Sequence, residues 1–326
     1  MEKELKWAVL GTGVIANEMA QALQKMGEKL YAVANRTYDK AVEFAEKYDA
    51  EKVYGKIDDM FTDKESDIIY ITTPHNTHIK FMLEALKNGK HVLCEKSITL
   101  NSEELEEAVK IAKEKNLILG EAMTIFNMPL YTKLSDIVNS GKLGDVKMIQ
   151  VNFGSYKEYD MNNRFFNRNL AGGALLDIGV YAISITRLFM TSKPDNVLSQ
   201  VKYAPTGVDE QVGIIMMNKE QQMSTIALTL HSKQPKRVVI ACEKAYIEVL
   251  EYPRADKAKI VYTETGEIEE IEEGITANAL QYEMQNMEKS VKSGINQMKL
   301  EYTRDVMDIM TNLRKEWGMT YPEEEK

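Results

Sequence analysis

The chain has 326 residues, 44% of them hydrophobic and 28% charged, with a formal net charge of -9. This length suggests two domains with substantial cores, and the composition is ordinary for a soluble globular protein. The acidic balance argues against nucleic acid and anionic membrane as main partners, and two cysteines, Cys94 and Cys242, make no disulfide scaffold and suit a reducing, cytoplasmic setting.

Residues 1–6 run straight into a strand pattern over 5–10, which leaves no room for a signal peptide. No apolar run reaches the ~18–20 residues of a membrane span. The strand ends in Gly11-Thr12-Gly13-Val14-Ile15-Ala16 and passes directly into a helical pattern over 17–25. Strand, G-x-G-x-x-A turn and helix form the context that a dinucleotide fingerprint requires. Gly11 lets the chain turn tightly, Gly13 lets a pyrophosphate approach the backbone, and the helix N-terminus offers unpaired N–H groups and a positive dipole end. Strand and helix patterns then alternate: strand over 30–34, helix over 38–48, strand over 67–72, helix over 76–88, strand over 91–94, helix over 102–115 and strand over 117–119. Such alternation predicts a doubly wound parallel sheet covered on both faces, a Rossmann domain over residues 1–122.

The pattern changes in residues 123–326. A helix over 129–140, a strand over 146–154 and a long apolar helix over 175–190 precede six successive strand-like runs between 197 and 263. Consecutive strands without intervening helices indicate an open, mainly antiparallel sheet, and helices over 276–291 and 301–317 close an α+β domain. One face of that sheet is left for a second copy, so a homodimer or homotetramer is expected. The acidic runs over 268–273 and 323–325 read as solvated faces or a frayed end.

Ligands of open α/β sheets bind beyond the carboxyl ends of the strands. The second strand ends in Asn35-Arg36-Thr37, with no carboxylate to hold a ribose 2′-hydroxyl. Arg36 suits a 2′-phosphate, with Asn35 and Thr37 adding hydrogen bonds, and the cofactor is therefore expected to be NADP rather than NAD. Thr72-Thr73-Pro74-His75-Asn76-Thr77-His78 follows another strand and supplies hydroxyls and an amide for the nicotinamide ribose; Thr72, Thr73, Pro74, Asn76 and His78 join the cofactor set with Thr12, Val14 and Ile15. Glu95-Lys96 stands at the next strand mouth: Lys96 can direct its ammonium at a substrate oxygen and Glu95 can bind the ribose or the lysine. Farther on, Gly172-Gly173 opens the apolar helix in which Asp177 and Tyr181, four residues apart, share a face. An acid and a phenol on an apolar helix are costly unless hydrogen-bonded or functional. No metal site is expected. His75 and His78 lack third and fourth ligands, and His91 and Cys94 face opposite sides of a strand.

The fingerprint, the Thr-Pro-x-Asn-x-x-His stretch, the Glu95-Lys96 pair and the Gly-Gly-x-x-x-x-Asp-x-Gly-x-Tyr helix occur in this order over nearly the whole chain. Together they resemble the glucose–fructose oxidoreductase, inositol dehydrogenase and rhizopine-catabolism (Gfo/Idh/MocA) family. Tyr181 in place of a histidine is similar to the branch with dimeric dihydrodiol dehydrogenase, D-xylose dehydrogenase and glucose–fructose oxidoreductase, a branch that generally prefers NADP. The resemblance implies a catalytic Lys96, an acid/base Tyr181 and an Asp177 that binds a substrate hydroxyl or orients Lys96. It implies hydride transfer to or from a sugar, polyol or related small molecule, with Phe126, Asn127 and Arg164 lining the substrate pocket. Two departures stand out. Ser97 replaces the usual proline, so the Lys96–Ser97 peptide is expected to be trans, and Thr124-Ile125-Phe126-Asn127 replaces Trp-Thr-Arg-Phe. A cofactor-binding regulator without turnover and a redox-neutral glycosidase with bound cofactor remain as alternatives.

Overall fold

The structure, a computed structural model, describes residues 4–325. The expectation for the first three residues lies outside that range. The chain divides into two compact units: one comprises the described residues through Met123 together with Leu280–Leu300, the other Thr124–Ala279 with the residues from Glu301 onward.

In the first unit, buried apolar stretches form strands and amphipathic stretches form the helices between them. The order is β1 (Trp7–Leu10), α1 (Val14–Met26), β2 (Leu30–Ala34), α2 (Tyr38–Tyr48), β3 (Lys52–Val53), α3 (Ile57–Thr62), β4 (Ile68–Ile71), α4 (His78–Lys87), β5 (His91–Glu95), α5 (Ser102–Glu114) and β6 (Leu119–Ala122). The strands pair in parallel in the order β3-β2-β1-β4-β5-β6. The order reverses at β1, so the space beyond the carboxyl ends of β1 and β4 is the topological switch point where such sheets bind ligands. All residues of β1, β2 and β4 are buried, as helices on both faces require.

The division at residue 122 does not account for 280–300, which join the first unit. Most of helix α9 is here; it follows the second unit's strands in sequence. The buried Trp7 indole donates to Glu288 Oε1 at 2.9 Å. Asn296 Nδ2 donates to the Leu119 carbonyl at 2.8 Å, and a Cβ on Gly120 would lie 2.7 Å from the Met298 side chain.

The second unit contains α6 (Thr124–Asn127), α7 (Pro129–Asn139), β7 (Val146–Gly154), a π-helical turn over Leu175–Gly179, α8 (Val180–Phe189), β8 (Asn196–Tyr203), β9 (Asp209–Met217), β10 (Met223–Thr229), β11 (Gln234–Cys242), β12 (Ala245–Leu250), β13 (Lys257–Tyr262), β14 (Ile268–Glu272) and α10 (Leu300–Glu316); α9 spans Ala279–Ser293. The sheet order is β14-β13-β12-β11-β7-β10-β9-β8, antiparallel except between β7 and β10. Ile149, Val151, Ile214, Ile226, Val238 and Ile247 are buried on one face, against which α8 packs. The opposite face exposes Leu198, Ile215 and Leu250 at 63%, 47% and 58%.

Three sequence expectations are corrected here. The acidic run at 268–272 is strand β14, because Ile271 is buried and alternates with exposed glutamates. The acidic tail is not frayed at Glu324, which accepts two hydrogen bonds from the buried Arg314 guanidinium at 2.7 and 2.8 Å. Arg168–Phe189 is long and apolar enough to cross a membrane by length and composition, yet 78% of its apolar window is buried within the fold, as in a core helix.

Burial, with the Glu288 carboxylate beside it, pushes the Glu28 carboxyl up to about 7 from 4.5. Folding therefore favours protonated Glu28, and its contribution to stability is present below pH 4.5 and lost as pH rises through about 7. Thermal unfolding across that window should show a steeper fall in Tm for the native chain than for Glu28→Gln; equal slopes would contradict the pairing.

Candidate active site

The first unit presents three strand ends side by side. Gly11 follows β1 with φ +109, and a Cβ there would lie 2.5 Å from Thr72 Oγ1. Thr72 closes the gap by donating its hydroxyl to the Leu10 carbonyl at 2.9 Å. Gly11 is thus required by the approach of the β4 end as well as by its backbone angle. Gly13 differs: a Cβ there would meet nothing within 4 Å, and it caps α1 without a side-chain hydrogen bond or an acidic residue in the first turn. The amide N–H groups at the start of α1 have open space before them, the cradle that a pyrophosphate fits. Val14 is 79% exposed beside that space, whereas Ala16 is fully buried against the sheet.

At the tip of β2, Asn35 Nδ2 donates to the Thr37 carbonyl at 3.0 Å and shapes the turn. Arg36 is exposed and takes part in no hydrogen bond or ion pair among the described residues. Its guanidinium remains available to a phosphate.

The loops after β4 and β5 are tied together. His78 is fully buried, with Nε2 2.7 Å from the Thr73 carbonyl and Nδ1 3.0 Å from the Ser97 carbonyl. Burial lowers the imidazole pKa, and the two carbonyls oppose that shift. His78 therefore braces the two loops, and His75 repeats the tie with Nε2 3.1 Å from the Lys96 carbonyl. Thr77 Oγ1 donates within the same turn to the Pro74 carbonyl at 2.7 Å. Against expectation, the Lys96–Ser97 peptide is cis. The carbonyls on both sides are fixed by His75 and His78, and the Ile98 N–H is fixed by Glu121 Oε1 at 3.2 Å. These contacts hold the backbone that carries Lys96 without the proline. Glu95 accepts a hydrogen bond from the Tyr70 hydroxyl on neighbouring β4. Tyr70 and Glu121 were not singled out in the sequence, and His75 was weighed there only as a metal ligand, since support of this kind leaves no local pattern.

The remaining expected residues lie in the second unit. Asp177 falls in the π-helical turn, not in a regular α-helix, and the Val180 N–H reaches back to the Leu175 carbonyl. Such turns are frequent at functional sites. Asp177 is 8% exposed, and its Oδ1 lies 3.6 Å from Arg164, whose guanidinium covers the Phe165 ring at 4.2 Å. Tyr181 follows at the start of α8, half-buried, its ring 6.1 Å from Phe153. Phe126 and Asn127 are both 5% exposed within α6, and the Phe126 ring packs 5.8 Å from Tyr302. They belong to the packed interior of the unit more than to an open surface. Among the described residues no group of three or more His, Cys, Asp or Glu could hold a metal ion.

Comparison with known proteins places these features in a wider setting. A family model described as an oxidoreductase family with an NAD-binding Rossmann fold matches residues 5–123, and a Gfo/Idh/MocA C-terminal domain model matches residues 131–248. The chain is 29% identical to trans-1,2-dihydrobenzene-1,2-diol dehydrogenase of Xenopus laevis, over 97% of this chain and 99% of that protein. The human protein of that name is 27% identical, over 99% of both chains. Among solved structures, KijD10, a 3-ketoreductase from Actinomadura kijaniata in complex with NADP and TDP-benzene, superposes with a TM-score of 0.84 at 20% identity, covering 95% of this chain and 96% of that one. Levoglucosan dehydrogenase in complex with NADH and levoglucosan gives 0.83 at 16% identity, covering 95% and 98%.

Proposed function

Because the chain belongs to the Gfo/Idh/MocA oxidoreductase family, we propose that it is an NADP-dependent dehydrogenase or reductase acting on a sugar, polyol or related hydroxylated small molecule. The observation that carries this reading is Lys96 at the mouth of a parallel strand, on a backbone held by His75, His78 and Glu121. A loop that only had to turn would need no such support. The relatives' names agree in chemistry: a dihydrobenzene diol and levoglucosan are both hydroxylated, and a 3-ketoreductase reduces a ketone.

When bound, the cofactor supplies or accepts the hydride. Gly11, Thr12, Gly13, Val14 and Ile15 would hold its pyrophosphate, Arg36 with Asn35 and Thr37 its 2′-phosphate, and Thr72, Thr73, Pro74, Asn76 and Glu95 its ribose. Tyr181 exchanges a proton with the substrate oxygen. The Lys96 ammonium stabilises negative charge on that oxygen. Asp177 and Arg164, already paired, bind the neighbouring hydroxyl. A second copy of the chain covers the open face of the sheet, where Leu198 on β8 stands opposite Ile215 on β9 and Met223 on β10 opposite Met148 on β7.

Three outcomes are expected. Lys96→Ala or Tyr181→Phe should lower kcat by about 10²–10⁴-fold with NADPH affinity intact; near-native turnover in either would remove that residue from the mechanism. Arg36→Ala should cut NADPH affinity by about 10- to 100-fold, the worth of one charge-assisted hydrogen bond, and leave NADH affinity alone. An equal effect on both nucleotides would assign Arg36 elsewhere. Sedimentation equilibrium should give a dimer or tetramer that Ile215→Asp dissociates, and a monomeric native chain at micromolar concentration would refute the sheet-face contact.

A further inference from the structure

The segment with Asp177 and Tyr181 begins at Gly172-Gly173, and one buried side chain lies against that turn. Asp209, the first residue of β9, is fully buried. Its Oδ2 accepts the Leu175 N–H at 2.6 Å, and the neighbouring Ala174 N–H also stabilises the carboxylate. These are leading N–H groups of the π-helical turn, which have no partners inside the turn itself. A Cβ on Gly173 would come within 2.2 Å of Asp209 Oδ1, and a Cβ on Gly172 within 2.8 Å of the Arg164 and Phe165 carbonyls. The glycine pair is therefore threaded between a buried carboxylate and the 164–165 backbone. Gly173 N–H donates to the Phe165 carbonyl at 2.9 Å, and the buried Tyr321 hydroxyl donates to the Gly172 carbonyl at 2.7 Å.

We infer that Asp209 is a positioning residue: by accepting the first N–H groups of the turn it sets the rotation and height of the Leu175–Val180 segment, and through it the aim of Asp177 and Tyr181. The inference rests on the reading of Tyr181 as the acid/base. A structural carboxylate would be a poor choice for this location. Burial pushes Asp209 up to about 7, a cost only partly offset by the Leu175 N–H and by Arg314. A buried, imperfectly compensated carboxylate is retained more readily for geometry than for stability. Arg314 is itself occupied by Glu324, with its guanidinium 4.8 Å over the Tyr321 ring, so the C-terminal residues join the support of the same turn.

Asp209→Asn tests this with minimal change in shape. The amide can keep an oxygen on the Leu175 N–H but loses the charge that strengthens that bond, and it puts an NH2 where the buried Oδ1, which accepts no hydrogen bond among the described residues, now sits against Gly173. Hydrogen exchange of the substrate-free chain should accelerate over residues 174–178 and stay native in β12 and β13. With a substrate in hand, kcat should fall by as much as about 10²-fold, the effect of misplacing a reacting group by ~1 Å, while KM and NADPH affinity hold. Asp209→Ala should be worse in both readouts and Asp209→Asn should lie between it and the native chain. Native exchange and native kcat in Asp209→Asn would overturn the inference. So would acceleration spread evenly over the unit, which marks a purely structural group. Exchange is read without substrate, so it is judged separately from hydride transfer. If the alanine variant does not fold, the asparagine variant alone decides.

Discussion

The approach of Thr72 to Gly11 is the constraint on which the first unit's chemistry depends. A hydroxyl on the β4 end reaches the last carbonyl of β1 at 2.9 Å, and this leaves no room for a side chain at Gly11. With β1 and β4 joined, the open start of α1 has a fixed position. The loop after β4 then carries His75 and His78 to the backbone on either side of Ser97. A phosphate cradle and a cationic side chain thus come from three strand ends, each braced by contacts that involve no ligand. That is preorganisation: the ordering cost is met in folding and not at binding.

The second unit supports its polar residues by other means. Asp177 is nearly buried, and its partner Arg164 is exposed and stacked on Phe165. An ion pair with one partner in water contributes little to stability. Such a pair on an otherwise apolar segment is better explained by what it can bind. The π-helical turn around Asp177 has the same character, since such turns are frequent at functional sites.

Much of this was legible in the sequence because it has a period or a fixed spacing. Alternating strand and helix patterns gave the parallel sheet, and successive strand runs gave the antiparallel one. The glycine at 11 fell where the backbone needs one, and the glycine at 13 fell beside the open start of α1. What was not legible is non-local. The helix over 276–291 read as part of the second domain, and tertiary contacts such as the Trp7 indole on Glu288 and the Asn296 amide on Leu119 place residues 280–300 in the first unit. Acidic periodicity concealed β14, whose single buried residue is Ile271. Ser97 suggested a trans peptide, because local preference favours it, but three tertiary hydrogen bonds hold the backbone in the cis form. Asp209 has no signature at all; its role emerges only with the 2.6 Å contact to Leu175.

The most direct test of the central claim is to follow the hydride itself. The native chain would be incubated with NADPH deuterated at nicotinamide C4 and a panel of keto sugars, aldoses, inosose-type ketones and diketones. The products would then be read by mass spectrometry and NMR. The account predicts one deuterium at a new carbinol carbon for each NADPH consumed, in at least one member of the panel. Tight NADPH binding with no deuterium transferred to any of them, or with glycosidic cleavage and no net oxidation of the nucleotide, would contradict it.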